Sequence, residues 1–158
     1  MEIKSRVRNC VLLAISSYDG GDFLTLQVID GALIFTVNNG AGPEHVKLNL
    51  KRKNLFCDGH WHTIRIYKVK NFLTVGVDNV NSHTQMKKRK ASTTDTKDPL
   101  YLGGVPGNFS SAGLLIQDHF IGCIRSISLG RKVRRRKNIM INEIQVIGDI
   151  SKDGCPVD

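Results

Sequence analysis

Thirteen of the chain's 23 Lys and Arg residues fall into three short runs, and these are the residues whose types and spacing most plainly invite chemistry. Lys51, Arg52 and Lys53 form the first run; Lys87, Lys88, Arg89 and Lys90 the second; Arg131, Lys132, Arg134, Arg135, Arg136 and Lys137 the third. The whole chain carries a formal charge of +9 over 158 residues, yet outside these runs its Asp and Glu outnumber its Lys and Arg. Dense positive runs attract polyanions such as sulfated glycans, nucleic acid or acidic lipid headgroups. The same runs can instead be solvated loops, and Arg134-Arg135-Arg136 has a competing use as a cleavage site for a protease specific for basic residues.

Cys10, Cys57, Cys123 and Cys155 include no Cys-x-x-Cys pair, and their spacing suits no common zinc site. Cys155 follows a polar stretch within Gly154-Cys155-Pro156, where it is well placed to staple a tail to the body in a secreted protein. In a reducing compartment it would be an exposed thiol. His60 and His62 flank Trp61, but two histidines at i and i+2 of a strand are a weak metal signal, and structural or solvent-facing roles are expected. Trp61, at the start of an apolar strand, is expected to anchor the core. Gly-x-Ser-x-Gly, P-loop and His-Glu-x-x-His patterns are all missing, which argues against an enzyme. A glycan hydrolase would need two carboxylates facing a groove, whereas the acids here sit mainly in turns. Aromatic residues make up 6% of the chain, too few for a base-stacking surface, and no nucleic-acid partner is expected.

Short strands must position these residues. Fifteen glycines, many β-branched residues and short apolar runs point to an all-β chain. Strands are expected over 9–15, 23–29, 32–37, 61–67, 72–77, 99–102, 120–129 and 139–147. The 79–97 stretch reads as a long connection holding one further strand, and the stretch after Gly40 as a Lys-rich loop. Asp30-Gly31 is a specific hairpin signal, since both residues tolerate positive φ. Eight or more such strands imply a two-sheet antiparallel β-sandwich in one domain spanning 1–158, its loops carrying function at the rim. No stretch approaches the ~20 apolar residues of a membrane-spanning helix. The opening residues lack a signal-peptide run, so an extracellular location would make this chain a piece of a longer one.

Four segments resemble the laminin G-like family, in order and with matching spacing. Cys57-Asp58-Gly59-His60-Trp61-His62-Thr63-Ile64 resembles its L-C-D-G-x-W-H-x-V signature. Asp22-Phe23-Leu24-Thr25-Leu26 with Asp30-Gly31 resembles its early hairpin. Tyr101-Leu102-Gly103-Gly104-Val105-Pro106 is similar to its hydrophobic-x-G-G-x-P step, and Phe120-Ile121-Gly122-Cys123-Ile124-Arg125 to its F-x-G-C-I-R strand. The run 93–99 and the ending Gly154-Cys155-Pro156 look most like C-terminal G modules of laminin α chains; perlecan, agrin and neurexin carry related modules. Against that pattern the chain is expected to begin inside the module, short of an N-terminal edge strand.

The resemblance implies a lectin-type jelly roll with a Ca²⁺ site on its rim. The family's side-chain ligands fall on Asp22 and Asp95, and its two main-chain carbonyls on Asn39 and Thr93. Asp19 and Asp98 are nearby alternates, and without the resemblance Asp22 and Asp95 would read as ordinary turn residues. Ca²⁺ prefers carboxylate and carbonyl oxygen in about six to eight positions, so four protein oxygens would leave room for an acidic ligand. The resemblance further implies a Cys123–Cys155 disulfide, while Cys10 and Cys57 are open to pairing or to remaining free thiols. The partners it implies are acidic glycans of the α-dystroglycan type, heparan sulfate or sulfatide through the basic runs, and integrins through neighbouring modules, in a secreted protein of the basement membrane.

Overall fold

Alternating apolar residues and positive-φ turns organise the chain into strands β1 (Glu2–Ser5), β2 (Cys10–Ser16), β3 (Asp22–Ile29), β4 (Ala32–Asn39), β5 (Glu44–Asn49), β6 (His62–Val69), β7 (Phe72–Val77), β8 (Val80–Gln85), β9 (Tyr101–Leu102), β10 (Gly122–Arg125), β11 (Ser128–Lys132) and β12 (Arg135–Asn138). This is a computed structural model; it describes all residues except 18, 88–92, 98, 110–112, 133–134 and 156–158, and the side chains of Arg131 and Lys132. One antiparallel sheet runs β10-β1-β6-β7-β8, the other β5-β4-β3-β2-β9, and β11-β12 forms a separate hairpin. The described residues contain no helix long and apolar enough to cross a membrane.

Three tight turns set the registers. Asp30 (φ 48°) and Gly31 (φ 74°) close β3 onto β4, pairing Ile29 with Ala32 and, at the open end, Asp22 with Asn39. Lys70 and Asp78, both at φ 52°, begin the turns that join β6 to β7 and β7 to β8. Between the sheets lie Ile3, Leu12, Leu26, Leu33, Phe35, Leu73 and Val75, essentially without solvent exposure. Burying such side chains contributes about 1.5–3 kcal/mol each, which makes this shared interface the main source of stability. The opposite face of β3 is also covered. Gln27, fully buried, accepts hydrogen bonds from the Leu115 and Ile116 amides at 2.8 and 3.1 Å and donates to the Gly113 carbonyl at 3.1 Å. A loop segment is thereby strapped across the strand.

The β-sandwich expected from the sequence is present, with three local differences. The Lys-rich stretch after Gly40 contains β5, whose Val46 and Leu48 turn inward while His45, Lys47 and Asn49 stay exposed; this two-residue alternation suits a sheet edge. The single strand expected over 120–129 divides into β10 and β11 around Ser126, held at φ 53°. No strand spans 139–147. Strand β12 precedes that stretch and pairs with β11, after which a 3₁₀ turn at Ile141–Glu143 follows and Met140, Ile141 and Ile147 are exposed. Apolar character alone suggested a strand there, but a strand also needs a ladder partner. Strand β1 is interior, between β10 and β6.

Candidate functional site

Asp22 opens β3 at the sandwich rim, opposite Asn39 at the end of β4. Its main chain is fixed by the preceding turn: the Asp22 amide donates to Ser17 Oγ at 2.9 Å, and the Ser17 amide donates to the Asp22 carbonyl at 2.7 Å. Its side chain reaches across the rim, where Oδ2 accepts a hydrogen bond from the Asp95 amide at 2.7 Å. That contact joins residues 73 positions apart in sequence and brings the 93–97 segment to the hairpin's open end. Asn38 Oδ1 accepts from the Gly40 and Gly42 amides at 3.0 Å each, shaping the turn that leaves β4. A Cβ at Gly40 would lie 3.6 Å from Asp22 Oδ1, so the turn passes directly beside the carboxylate.

Of the four residues expected to hold a metal, the structure therefore brings Asp22, Asn39 and Asp95 together, and Thr93 lies exposed two residues before Asp95 on the same segment. All four offer hard oxygen, the donor type Ca²⁺ takes. Among the described residues no group of three or more His, Cys, Asp or Glu side chains is arranged to hold a metal ion, so an ion held here would need main-chain carbonyls as well. The alternate Asp19 is engaged in its own turn. Its Oδ1 accepts from Ser17 Oγ at 2.5 Å and from the Gly21 amide at 3.0 Å, and these bonds hold its carboxyl below the usual carboxylate range. Asp98 lies outside the described residues. One nearby cation matters: burial pushes the Lys68 ammonium down, and the charge of Asp22 opposes that shift.

A second polar cluster was not anticipated. His62, 6% exposed, hydrogen-bonds Asp78 Oδ2 through Nδ1 at 2.8 Å and Asp58 Oδ1 through Nε2 at 3.0 Å. Asp58 also accepts from the His60 amide at 2.9 Å, and Asp78 from the Thr63 amide at 2.9 Å. Phe56 packs edge-on against the imidazole with ring centroids 5.8 Å apart. Burial disfavours charge on His62, but the bonds to Asp78 and Asp58 outweigh it and raise its pKa. Burial likewise works to raise both aspartates, and their hydrogen bonds hold them below the usual range. Of the structural and solvent-facing roles expected for the two histidines, His62 takes the first and His60, exposed, the second. Asp58 is visible in the motif four residues before His62; Asp78 carries no local signal.

The basic runs occupy different parts of the molecule. Lys51, Arg52 and Lys53 are exposed beside the Asp30-Gly31 turn, where a Cβ at Gly31 would meet Lys53 Cα at 2.6 Å. That is the far end of β3 from Asp22, roughly 25 Å away at the usual strand rise. Lys87 leaves β8 on the rim side, its amide donating to Glu44 Oε2 at 2.8 Å. Lys88, Arg89, Lys90 and Arg134 lie outside the described residues. Arg135, Arg136 and Lys137 are exposed on β12; Arg136 bonds the Tyr67 hydroxyl at 2.8 Å, and Lys137 pairs with Glu143 at 3.1 Å. Trp61 differs from its expected core position. It is half-buried, with the Arg125 guanidinium 4.0 Å from its ring centroid, and Arg125 also pairs with Glu2 at 2.8 Å.

Cys123 and Cys155 form a disulfide, with Cα atoms 5.6 Å apart. Cys10 and Cys57 are free thiols; Cys10 is buried, and desolvation, with smaller contributions from Cys57 and Asp118, pushes it up to about 12.

The chain is similar to known proteins in sequence and in fold. Residues 3–132 match the family model described as Laminin G domain. The chain is 34% identical to laminin subunit alpha-1 of Mus musculus over 131 residues, which is 83% of this chain and 4% of that protein. It is 27% identical to usherin of Rattus norvegicus over 150 residues, 93% of this chain and 3% of that protein. The solved mouse laminin alpha1 chain, domains LG4-5, superimposes with a TM-score of 0.78 at 31% identity, covering 87% of this chain and 34% of that one. The LG1-3 region of the laminin alpha2 chain gives a TM-score of 0.63 at 17% identity, covering 77% of this chain and 24% of that one, a likeness of fold alone. The chain thus spans about 4% of the length of its laminin alpha-1 relative.

Proposed function

This chain belongs to the laminin G domain family, and on that premise we propose that it is a non-enzymatic, extracellular binding module of the basement membrane whose rim holds Ca²⁺. The side chains of Asp22 and Asp95 and the carbonyls of Asn39 and Thr93 would hold the ion. It would supply a positive centre with open coordination positions for the oxygens of an acidic glycan, such as those on α-dystroglycan. The observation that carries this reading is the Asp95 amide on Asp22 Oδ2, because it closes the distance between two acids far apart in sequence. Two carboxylates and two carbonyls are too few to saturate Ca²⁺, which suits an ion that bridges to a ligand.

Calorimetric titration tests the reading. Wild-type protein binds Ca²⁺, and Asp95→Ala loses at least tenfold in affinity; equal binding by the two proteins would show that the site is wrong.

The exposed basic residues support a second contact, with heparan sulfate or sulfatide. Lys51, Arg52 and Lys53 stand at the opposite end from the rim, so polyanion binding there would not require the ion. Elution from immobilised heparin should move to markedly lower salt in Lys51/Arg52/Lys53→Ala, because each lost charge removes a screened attraction. Unchanged elution would remove this run from the surface.

A further inference from the structure

We propose that Asn108 is an N-linked glycosylation site. Among the chain's asparagines only Asn108 is followed two positions later by Ser or Thr, in Asn108-Phe109-Ser110, and the middle residue is not Pro, as the acceptor pattern requires. Ser110 lies outside the described residues and enters as sequence alone. The Phe109 amide donates to the Pro106 carbonyl at 2.9 Å. Residues 106–109 therefore make a β-turn with Asn108 in its second central position, and Gly107 and Asn108 are both exposed. Phe109 packs edge-on against Tyr101, with centroids 5.5 Å apart, so the turn is anchored on one side and open on the other. A glycan at Asn108 fits the folded domain without displacing any core residue.

The inference rests on the extracellular reading only in needing passage through a secretory compartment. The co-reactant is an oligosaccharide linked to a lipid pyrophosphate. The Asn108 amide nitrogen bonds to the anomeric carbon of the first sugar, the carbon–oxygen bond to pyrophosphate breaks, the lipid pyrophosphate departs, and the nitrogen gives up one proton. No oxidant or reductant is involved.

The location gives the modification a consequence. Tyr101 pairs with Ala14 on β2, and two residues further along β2 Ser16 pairs with Phe23, the neighbour of Asp22. Past the turn, the Gly113 carbonyl accepts from Thr25 Oγ1 at 2.9 Å, and a Cβ at Gly113 would collide with the Phe23 ring. The glycan would root on the rim end of the sheet, beside the surface offered to partners.

The full chain, expressed behind a heterologous secretion leader in mammalian cells, tests this by intact mass in medium and cell lysate alike. The expected result is a mass increase removed by peptide N-glycosidase, with Asp recovered at position 108. It should be abolished in Asn108→Gln and Ser110→Ala and kept in Ser110→Thr. Protein in the secretory pathway with the unmodified sequence mass at Asn108 overturns the inference and leaves the calcium reading untouched. Loss of Ca²⁺ binding in a glycosylated protein does the reverse.

Discussion

His62 is bonded at both ring nitrogens to carboxylates, an arrangement that suits the imidazolium, which donates from both. The sign of its pH dependence follows from the shifts. A raised His62 pKa means its contribution is complete below the unfolded value of about 6.5 and is lost as pH rises through the higher folded value. The lowered pKa values of Asp58 and Asp78 mean their contribution is complete above about 3.9 and is lost as pH falls through the folded values. Urea denaturation should therefore find wild type losing stability from pH 6 to pH 9. His62→Gln should be less stable at pH 6 by about 1–2 kcal/mol, a charged hydrogen-bond contribution reduced for the partial exposure of both acids; its slope over that range should flatten. An unchanged slope would mean the clamp is not charged. At the rim, Lys68 competes with any cation for the field of Asp22. Lys68→Met should tighten Ca²⁺ binding about threefold to tenfold, roughly the ~1 kcal/mol of one screened charge; weaker binding would contradict this.

At the scale of elements, Gly122 shows why one residue in a motif resists replacement. It sits at φ 147°, and a Cβ there would meet the Lys4 carbonyl oxygen and Ser5 Cα of the adjacent strand. Gly122→Ala should cost at least about 1–3 kcal/mol, seen as a lower melting temperature, because strand β10 cannot keep its pairing with β1. The disulfide one residue later ties down the tail. The loop it closes contributes about 3–4 kcal/mol by chain entropy, and Cys155→Ser should melt lower by that order. The β3–β4 hairpin was legible because Asp30-Gly31 allows few alternatives, and its register then carried Asp22 to Asn39. Strand β5 was not, since Lys47 and its polar neighbours masked Val46 and Leu48. The 139–147 stretch failed in the opposite way: its isoleucines read as a strand, but they find no sheet, and Ile141 and Ile147 remain on the surface. Asp78 was illegible for a related reason, because only the positive-φ turn between β7 and β8 aims it at His62.

Seen whole, the molecule has two ends. One carries Asp22, Asn39, Asp95 and the base of the Lys87 run; the other carries Lys51, Arg52 and Lys53 beside the Asp30-Gly31 turn. Net charge from the sequence could not reveal this division, because only folding sets Lys51, Arg52 and Lys53 at one end and Lys87 at the other. A heparin-like chain held by Lys51, Arg52 and Lys53 would then bind independently of a Ca²⁺-bridged ligand at the rim. The most direct check is a crystal structure of this chain grown with Ca²⁺. The account predicts an ion at the rim, coordinated by the carboxylates of Asp22 and Asp95 and the carbonyls of Asn39 and Thr93, with solvent or ligand in the remaining positions. Density without an ion there at saturating Ca²⁺, or the two carboxylates turned away from each other, would contradict it.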